Sequence, residues 1–489
     1  MNITDLVTQH ARTRPDHPAI EDGGRVVTYA ELDARIDDAA ANLQSLGIAP
    51  RDVVGVMLAD SAEHLVVLLA LARAGAVMAA IDGVLPAAER RRAVQQVDLA
   101  AVITDPGDPP LGDGRVISID MICRPSASPF QRPRLSDDHP LMIVQTSGTT
   151  GAPKTFFWGH DRMWVQTPRL ERCFGLSGQD RHLALVRLAF FWERKLCWVL
   201  FCLGATVVLN RAATLADLVA RIRDERITML ALTPSHLAFL LDHPADREPL
   251  LPTVSAMIVG SAPLTHERRL LVRRRLTPNF YEQLGTNEAG PLIVGAPADQ
   301  DTRPQAIGRV VDGVEAQVLG EDGRPLPPGE VGLVGFRGEG LPTGYVGNAE
   351  ATHRAFRDGW FFPGDLAAID ADGFFFFKGR ADDVINNEGA KFYPIEVEMV
   401  LASHPAVAEV AVFGWPHRRH GELAAAFVVA KQPLTVPELQ AFCRRQIADY
   451  KVPAWIVFVD KMPKNPTGKI MQSRLKEIFR DLRAGAGGA

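Results

Sequence analysis

The 489-residue chain reads as an α/β protein: a large N-terminal domain of two stacked α/β subdomains plus a β-rich subdomain, followed by a small, mobile α+β C-terminal domain. Three observations predict this. Short β-branched runs alternate with amphipathic helical patterns from Ile3 to Val259, the rhythm of largely parallel sheets. From Ala306 to Phe377 the pattern changes to short strands broken by turns such as Glu321-Asp322-Gly323 and Pro327-Pro328-Gly329. Beyond that, strand, helix and strand return in a unit small enough to move as a body, with apolar runs at Val407–Phe413 and Ala424–Val429.

In chain order, Thr28 is placed to cap a helix running from Tyr29 through Leu43, whose apolar residues recur at helical spacing. Val53–Leu58 reads as a buried strand, Glu63–Ala74 as a helix, and Ala100–Thr104 as a further strand. Pro- and Gly-rich residues 105–114 and the proline-punctuated residues 125–140 are connections. Leu196–Leu209 is too short to span a bilayer, which needs about 20 residues, and contains Gly204, so it is expected to be a buried helix plus strand. Strands follow at 204–209, 227–232 and 254–259, with helices at 213–225 and 235–241 between them. Arg268, Arg269 and Arg273–Arg275 read as a solvated helix face, Glu396 and Glu398 as decoration of a later helix, and residues 483–489 as a frayed tail.

Composition narrows the class. A net charge of −5 provides no global attraction to nucleic acid or to an anionic membrane. Five cysteines without a CxxC pair exclude a zinc ribbon and suit reduced thiols in a cytoplasmic protein. The N-terminal residues have neither a basic nor an apolar signal region, so no secretory signal is expected.

One stretch stands out: Val144-Gln145-Thr146-Ser147-Gly148-Thr149-Thr150-Gly151-Ala152-Pro153-Lys154, directly after the apolar run 141–144. Gly148 and Gly151 would let backbone N–H groups approach an anion, the hydroxyls of Thr146, Ser147, Thr149 and Thr150 add donors, and Lys154 adds a charge. The glycine spacing is not that of a Walker loop. Read alone, the stretch is a phosphate cradle or a polar turn between strands, since the same residues dominate turns. Similar ambiguity attends four other segments: Gly260-Ser261-Ala262-Pro263, Leu284-Gly285-Thr286-Asn287-Glu288, Gly364-Asp365-Leu366 with Gly379-Arg380-Ala381-Asp382, and Pro463–Ile470.

In this order, over essentially the whole chain, these segments resemble the signatures of the adenylate-forming superfamily: acyl- and aryl-CoA synthetases, peptide-synthetase adenylation domains and firefly luciferases. The resemblance implies that the loop Thr146–Lys154 holds the ATP phosphates and that Gly260, Ser261 and Ala262 read adenine through backbone groups, with Ser261 replacing a glycine. It implies nucleotide contacts for Gly285, Thr286 and Asn287, and Mg²⁺ on the phosphates held by Glu288. Leu284 and Asn287 stand where the superfamily has an aromatic residue and a threonine, so ring stacking at the adenine edge and one hydroxyl contact are not carried over. Asp365 would accept from the ribose hydroxyls, Arg380 would give a second contact, and Asp382 would be the hinge between a domain of residues 1–381 and one of residues 382–489. In the segment Asn386–Lys391, Gly389 and Lys391 would face the thiol, and Lys469 would be the mobile catalytic lysine.

The acid pocket is read by counting back from Gly204. The superfamily's Pro-Leu-Phe-His stretch then falls on Val186-Arg187-Leu188-Ala189, so Ala189 replaces the His or Asp. Without an Asp there to hold an ammonium, an α-amino acid is disfavoured. Phe190 and Trp192 next to it favour a flat ring, although core packing would also use them. The expected activity is that of an ATP- and Mg²⁺-dependent carboxylic acid–CoA ligase working through acyl-AMP on an aromatic or medium-sized acid. The alternatives are a stand-alone enzyme loading a carrier-protein phosphopantetheine, and, more distantly, a non-catalytic nucleotide-binding regulator. The expected partners are the acid and coenzyme A or a carrier protein, with no nucleic acid and no membrane. Neither the oligomeric state nor the identity of the acid is legible.

Overall fold

The computed structural model describes residues 2–95, 97–108, 114–146, 154–244, 248–260, 264–465 and 468–486. Among these, three sheets organise the chain. The first holds Val116–Ser118, Ala101–Thr104, Val53–Met57, Val77–Ala80 and Pro140–Thr146 in parallel, closed by the antiparallel Lys154–Gly159. Local signals start its helices where expected. Thr28 and Glu31 form a reciprocal cap at the start of Tyr29–Ser45, satisfying two backbone N–H groups that no helical carbonyl reaches. Ser61 caps Ala62–Ala74, which is buried on almost every face because it lies between layers.

The second sheet sets Pro18–Asp22, Thr206–Leu209, Arg181–Ala184, Met229–Leu232, Ala256–Val259 and Phe280–Thr286 side by side in parallel. The β-rich segment is hydrogen-bonded in continuity with it: Gly290–Gly295 turns back antiparallel, followed by Gly308–Val310, Phe374–Arg380, Asp365–Ile369 and Gly332–Gly338. Between the two sheets runs the apolar helix Phe191–Leu203. It stops at Gly204, where φ is +80° and a Cβ would lie 1.9 Å from the Arg14 guanidinium, so a larger residue is excluded twice over.

Arg380 is the last residue of the second sheet, the short 3₁₀ turn Ala381–Asp383 follows, and Ile385 begins the third sheet. That sheet is built on the long hairpin Val407–His417 and Gly421–Ala430, with Trp455–Phe458 parallel to it. Helices Pro394–Ala402 and Val436–Arg444 cover one face, and Gln472–Ala486 packs Leu475 and Phe479 on the other.

Three sequence expectations are corrected. The C-terminal helix continues to Ala486, with the Arg483 guanidinium over the Trp455 ring at 5.0 Å where composition alone suggested fraying; residues 487–489 lie outside the described residues. Glu396 and Glu398 are not decoration: Glu396 accepts from Tyr393 N at 3.0 Å and pairs with Lys451 at 2.6 Å, while Glu398 accepts from Val412 N at 2.8 Å. Arg269 leaves the solvated face altogether. It is 3% exposed, reaches Glu282 at 2.6 Å and donates to the carbonyls of Pro304 and Ala306, because strand Phe280–Thr286 presents its one buried carboxylate to that helix. Glu282 in turn accepts from Leu264 N at 3.0 Å.

Removing one partner of such a pair strands the other in an apolar site. Arg269→Met is therefore expected to lower unfolding free energy by about 3–5 kcal/mol in urea denaturation, with much of it restored in Arg269→Met/Glu282→Met. Equal losses in the single and double variants would contradict this.

Candidate active site

The parallel strands of the second sheet all end at one edge, and open α/β sheets bind ligands outside the carboxyl ends of their strands. Here Thr233-Pro234-Ser235 follow Met229–Leu232, Gly260 follows Ala256–Val259, and the turn 287–289 follows Phe280–Thr286. Ser261 and Ala262 lie outside the described residues, as do Ser147, Gly148, Thr149, Thr150 and Gly151. Thr146 ends its strand in register with Lys154, so the two residues flanking that loop are neighbours across one ladder.

Glu288 sits in the tight turn between Phe280–Thr286 and Gly290–Gly295. The turn demands glycine at 285, where a Cβ would lie 2.2 Å from the Gly290 carbonyl. Thr286 Oγ1 accepts from Ala289 N at 3.1 Å and braces it, while Asn287 is exposed. The Glu288 carboxylate, 9% exposed, accepts from the Tyr345 hydroxyl at 3.1 Å, and its backbone carbonyl accepts from Arg162. Burial first, then the Glu288 charge, pushes the Tyr345 phenol up, so the hydroxyl keeps its proton and remains a donor. Lys154 Nζ stands 5.2 Å from the Tyr345 ring centre, within cation–π range. Lysine, tyrosine and glutamate thus form one line from strand Lys154–Gly159 to the turn.

Asp365 lies opposite Arg380 in the ladder between their strands, and Arg380 donates to its Oδ1 at 2.7 Å. Burial raises the pKa of Asp365, while Arg380 and, more weakly, Lys469 oppose the rise. Glu288 also bears on it. The structure therefore brings Asp365, Arg380, Glu288 and Lys469 to one region.

Lys469 is exposed, on a loop tied at both ends: Asn465 Oδ1 accepts from Lys469 N at 2.9 Å, and Lys469 O accepts from Asn465 N at 2.8 Å. The loop rests on the other domain. Lys464 donates to Ser235 Oγ at 3.0 Å, and a Cβ on Gly468 would meet the Thr233 and Ser235 hydroxyls at 3.6 and 3.5 Å. Gly389, at φ +90°, and Lys391 belong to a hairpin at the start of the third sheet, where Lys391 is taken up by Glu321 at 2.9 Å rather than by a carboxylate named above. Asp382 lies in the turn between the sheets.

Ala189 and Phe190 precede helix Phe191–Leu203, and Arg194 donates to the carbonyls of Leu188 and Ala189, fixing the connection. Arg187 covers the Phe190 ring at 4.9 Å and is itself held by Asp82. Trp192 is half-buried in the first turn of the helix. Tyr345, Arg162 and Ser235 escaped sequence reasoning. Tyr345 is 57 residues from Glu288, and nothing local marks a tyrosine in a turn-rich stretch as its partner; Arg162 acts through a backbone carbonyl, which leaves no pattern at all.

A family model described as AMP-binding enzyme matches residues 7–346, and one described as AMP-binding enzyme C-terminal domain matches residues 396–469. The fatty acid–[acyl-carrier-protein] ligase ScoC of Streptomyces coeruleorubidus is 30% identical, covering 98% of this chain and 96% of that protein. A feruloyl-CoA synthase of an Amycolatopsis species is also 30% identical, over 96% of this chain and 98% of its own. Among solved structures, ATP-bound MatB from Rhodopseudomonas palustris superposes with a TM-score of 0.89 at 26% identity, covering 99% of this chain and all of that one.

Tyr345→Phe removes the hydroxyl that orients Glu288. A hydrogen bond to a charged group contributes about 1.5–3 kcal/mol, so the Mg²⁺ concentration for half-maximal ATP turnover is expected to rise at least about tenfold, measured by metal titration. An unchanged titration would remove Tyr345 from the site.

Proposed function

The chain belongs to the AMP-binding enzymes, and on that premise we propose an ATP-dependent carboxylic acid–CoA ligase that works through an acyl-AMP intermediate on an aromatic or medium-sized acid. The observation that carries this reading is the convergence of Glu288, Asp365 and Lys469, three residues far apart in sequence and drawn from two domains, at one strand edge. In the first step a substrate carboxylate oxygen attacks the α-phosphorus of ATP and the bond to the β,γ-phosphates breaks, releasing pyrophosphate. In the second, a thiol sulfur attacks the acyl carbon, AMP leaves and the thiol proton goes to solvent.

Each residue has a part suited to its chemistry. Asp365, held by Arg380 through Oδ1, accepts from ribose hydroxyls. Lys154 and the loop 146–151 meet the phosphates, and Gly260, Ser261 and Ala262 meet the base. Lys469 places an ammonium where negative charge develops on the α-phosphate, the kind of stabilisation a phosphoryl or adenylyl transfer chiefly needs. Glu288 is a lone carboxylate: among the described residues no group of three or more His, Cys, Asp or Glu could hold a metal ion. One carboxylate completed by phosphate oxygens and water suits Mg²⁺, which supplies charge neutralisation on the ATP phosphates when bound.

The thiol acceptor we assign is coenzyme A, with Gly389 and Lys391 on the hairpin that turns to it once the second domain rotates about Asp382. The carrier-protein alternative draws on the ScoC relative, which acts on an acyl carrier protein. We place the enzyme in the cytoplasm. Among the described residues no helix is long and apolar enough to cross a membrane, and all five cysteines are free, as a reducing compartment requires.

Acid-dependent pyrophosphate release over a panel of carboxylic acids, with and without CoA, tests the reading. An AMP-forming thioester product is expected; release with no acid at all would defeat the ligase assignment, and thioester formation only on a phosphopantetheinylated carrier would move it to the alternative. Lys469→Ala is expected to slow acyl-AMP formation by about two to four orders of magnitude while thioester formation from supplied acyl-AMP persists. Asp382→Pro is expected to do the reverse, because fixing φ blocks rotation and leaves the first step intact. Equal loss of both half-reactions in both variants would contradict domain alternation.

A further inference from the structure

This chain pairs its buried cations. Arg73, 1% exposed, meets Asp33 and Asp37 at 2.5 and 2.7 Å, and Arg269 meets Glu282. Where a buried guanidinium has no carboxylate, backbone carbonyls serve: Arg194 takes those of Leu188 and Ala189, Arg169 those of Asp312 and Glu339, and Arg162 those of Gly340, Phe157 and Glu288. Lys195 is the exception. Its side chain is completely buried, and among the described residues its single hydrogen-bond partner is Gln166 Oε1, at a long 3.4 Å. No carboxylate of the described residues lies within ion-pair distance of it. Burial first, then the nearby positive charge of Arg162 and Arg169, lowers the Lys195 pKa well below the usual lysine value, so the bare site favours the amine and an anionic group beside it would hold the proton there.

The surroundings say where the missing charge belongs. Lys195 Nζ is 4.8 Å from the Trp158 ring centre, 5.5 Å from Trp192 and 6.0 Å from Phe191. Of these rings, Trp158 and Phe191 are buried and Trp192 alone is partly open. On the other side is Gly290, two residues after Glu288: a Cβ there would fall 2.4 Å from Nζ, so the ammonium occupies space that any larger residue would fill. The ammonium thus lies between the ring assigned to the acid pocket and the turn that carries Glu288. Trp192 is therefore the ring past which a ligand would enter to meet the amine.

We propose that Lys195 determines which acids this enzyme accepts, by receiving an anionic oxygen at the far end of the substrate from the reacting carboxylate. The preferred substrate is then a flat acid with a second carboxylate, its ring against Trp192. This rests on the ligase reading for the identity of the pocket, yet the charge argument stands on Lys195 alone. Aromatic faces attract an ammonium but do not neutralise it, and a buried lysine without a counter-charge gives up its proton, so an anionic oxygen is what would keep Lys195 charged.

The test uses matched pairs of aryl acids, each a dicarboxylic acid and its analogue with the distal carboxylate as a methyl ester, binding to the full chain in calorimetry with a non-hydrolysable ATP analogue. Wild type is expected to bind the diacid at least about tenfold more tightly, a difference of one buried charged contact. Lys195→Met should abolish that preference while changing affinity for the ester less than about threefold, and Lys195→Arg should keep part of it. Where turnover is measurable, the loss should appear in KM with kcat nearly unchanged. Equal binding of diacid and ester by wild type overturns the proposal whatever the variants do, as does a Lys195→Met protein that folds and keeps the preference. A Lys195→Met protein that weakens both members equally assigns Lys195 a packing role and also overturns it. Because binding is read directly, a diacid preference lost in Lys195→Met without pyrophosphate release would uphold Lys195 and count against the ligase reading.

Discussion

The parallel register of the second sheet is the constraint on which the rest depends. Arg181–Ala184, Met229–Leu232, Ala256–Val259 and Phe280–Thr286 run the same way, so whatever follows each strand emerges at one edge. Thr233, Gly260, Ala189 and Glu288 are distant in sequence but share that edge because backbone hydrogen bonds fix the strand direction. The change to antiparallel pairing at Gly290–Gly295 then carries the chain back across the sheet and brings Asp365 and Arg380 into one ladder. A turn as tight as 285–290 is possible only because Gly285 has no Cβ.

Charge is handled by a consistent rule. Carboxylates that fix structure find partners inside: Glu282 meets Arg269, and Glu193 is hydrogen-bonded to His182 at 2.6 Å with both of those side chains completely buried. These pairs tie helices 266–275 and 191–203 to interior strands of the second sheet. Groups assigned to chemistry are left with capacity to spare: Asp365 keeps one arginine, Glu288 a single phenol, and Lys469 no ion pair among the described residues. Such partial satisfaction is typical of sites that complete their interactions with a ligand. Lys195 belongs with this second group, although it lies deeper than the others.

The docked loop of the second domain shows how little holds it there. Lys464 to Ser235 and the packing of Gly468 on two hydroxyls are small polar contacts, and among the described residues no apolar cluster is shared between the loop and the large domain. The two apolar clusters of the small domain lie on either face of its own sheet, so the unit keeps its core wherever it sits. That combination suits a domain that detaches and re-docks between steps.

Sequence alone determined the fold class and much of the order of helices and strands, because these are local matters of apolar periodicity and capping residues such as Thr28; Glu288, Asp365, Arg380 and Lys469 were singled out by the resemblance of short motifs to those of a family. It did not reveal that Pro18–Asp22 would pair with Thr206–Leu209 in the second sheet, that Arg269 would leave the solvent for Glu282, or that Tyr345 would meet Glu288. Nor did it separate Lys195 from Glu193 and Arg194 beside it, which look equally polar in a helix. Partners across 13 to 187 residues are chosen by sheet register and layer packing, and only the tertiary structure decides which charges find a counter-charge and which are left to wait for a ligand.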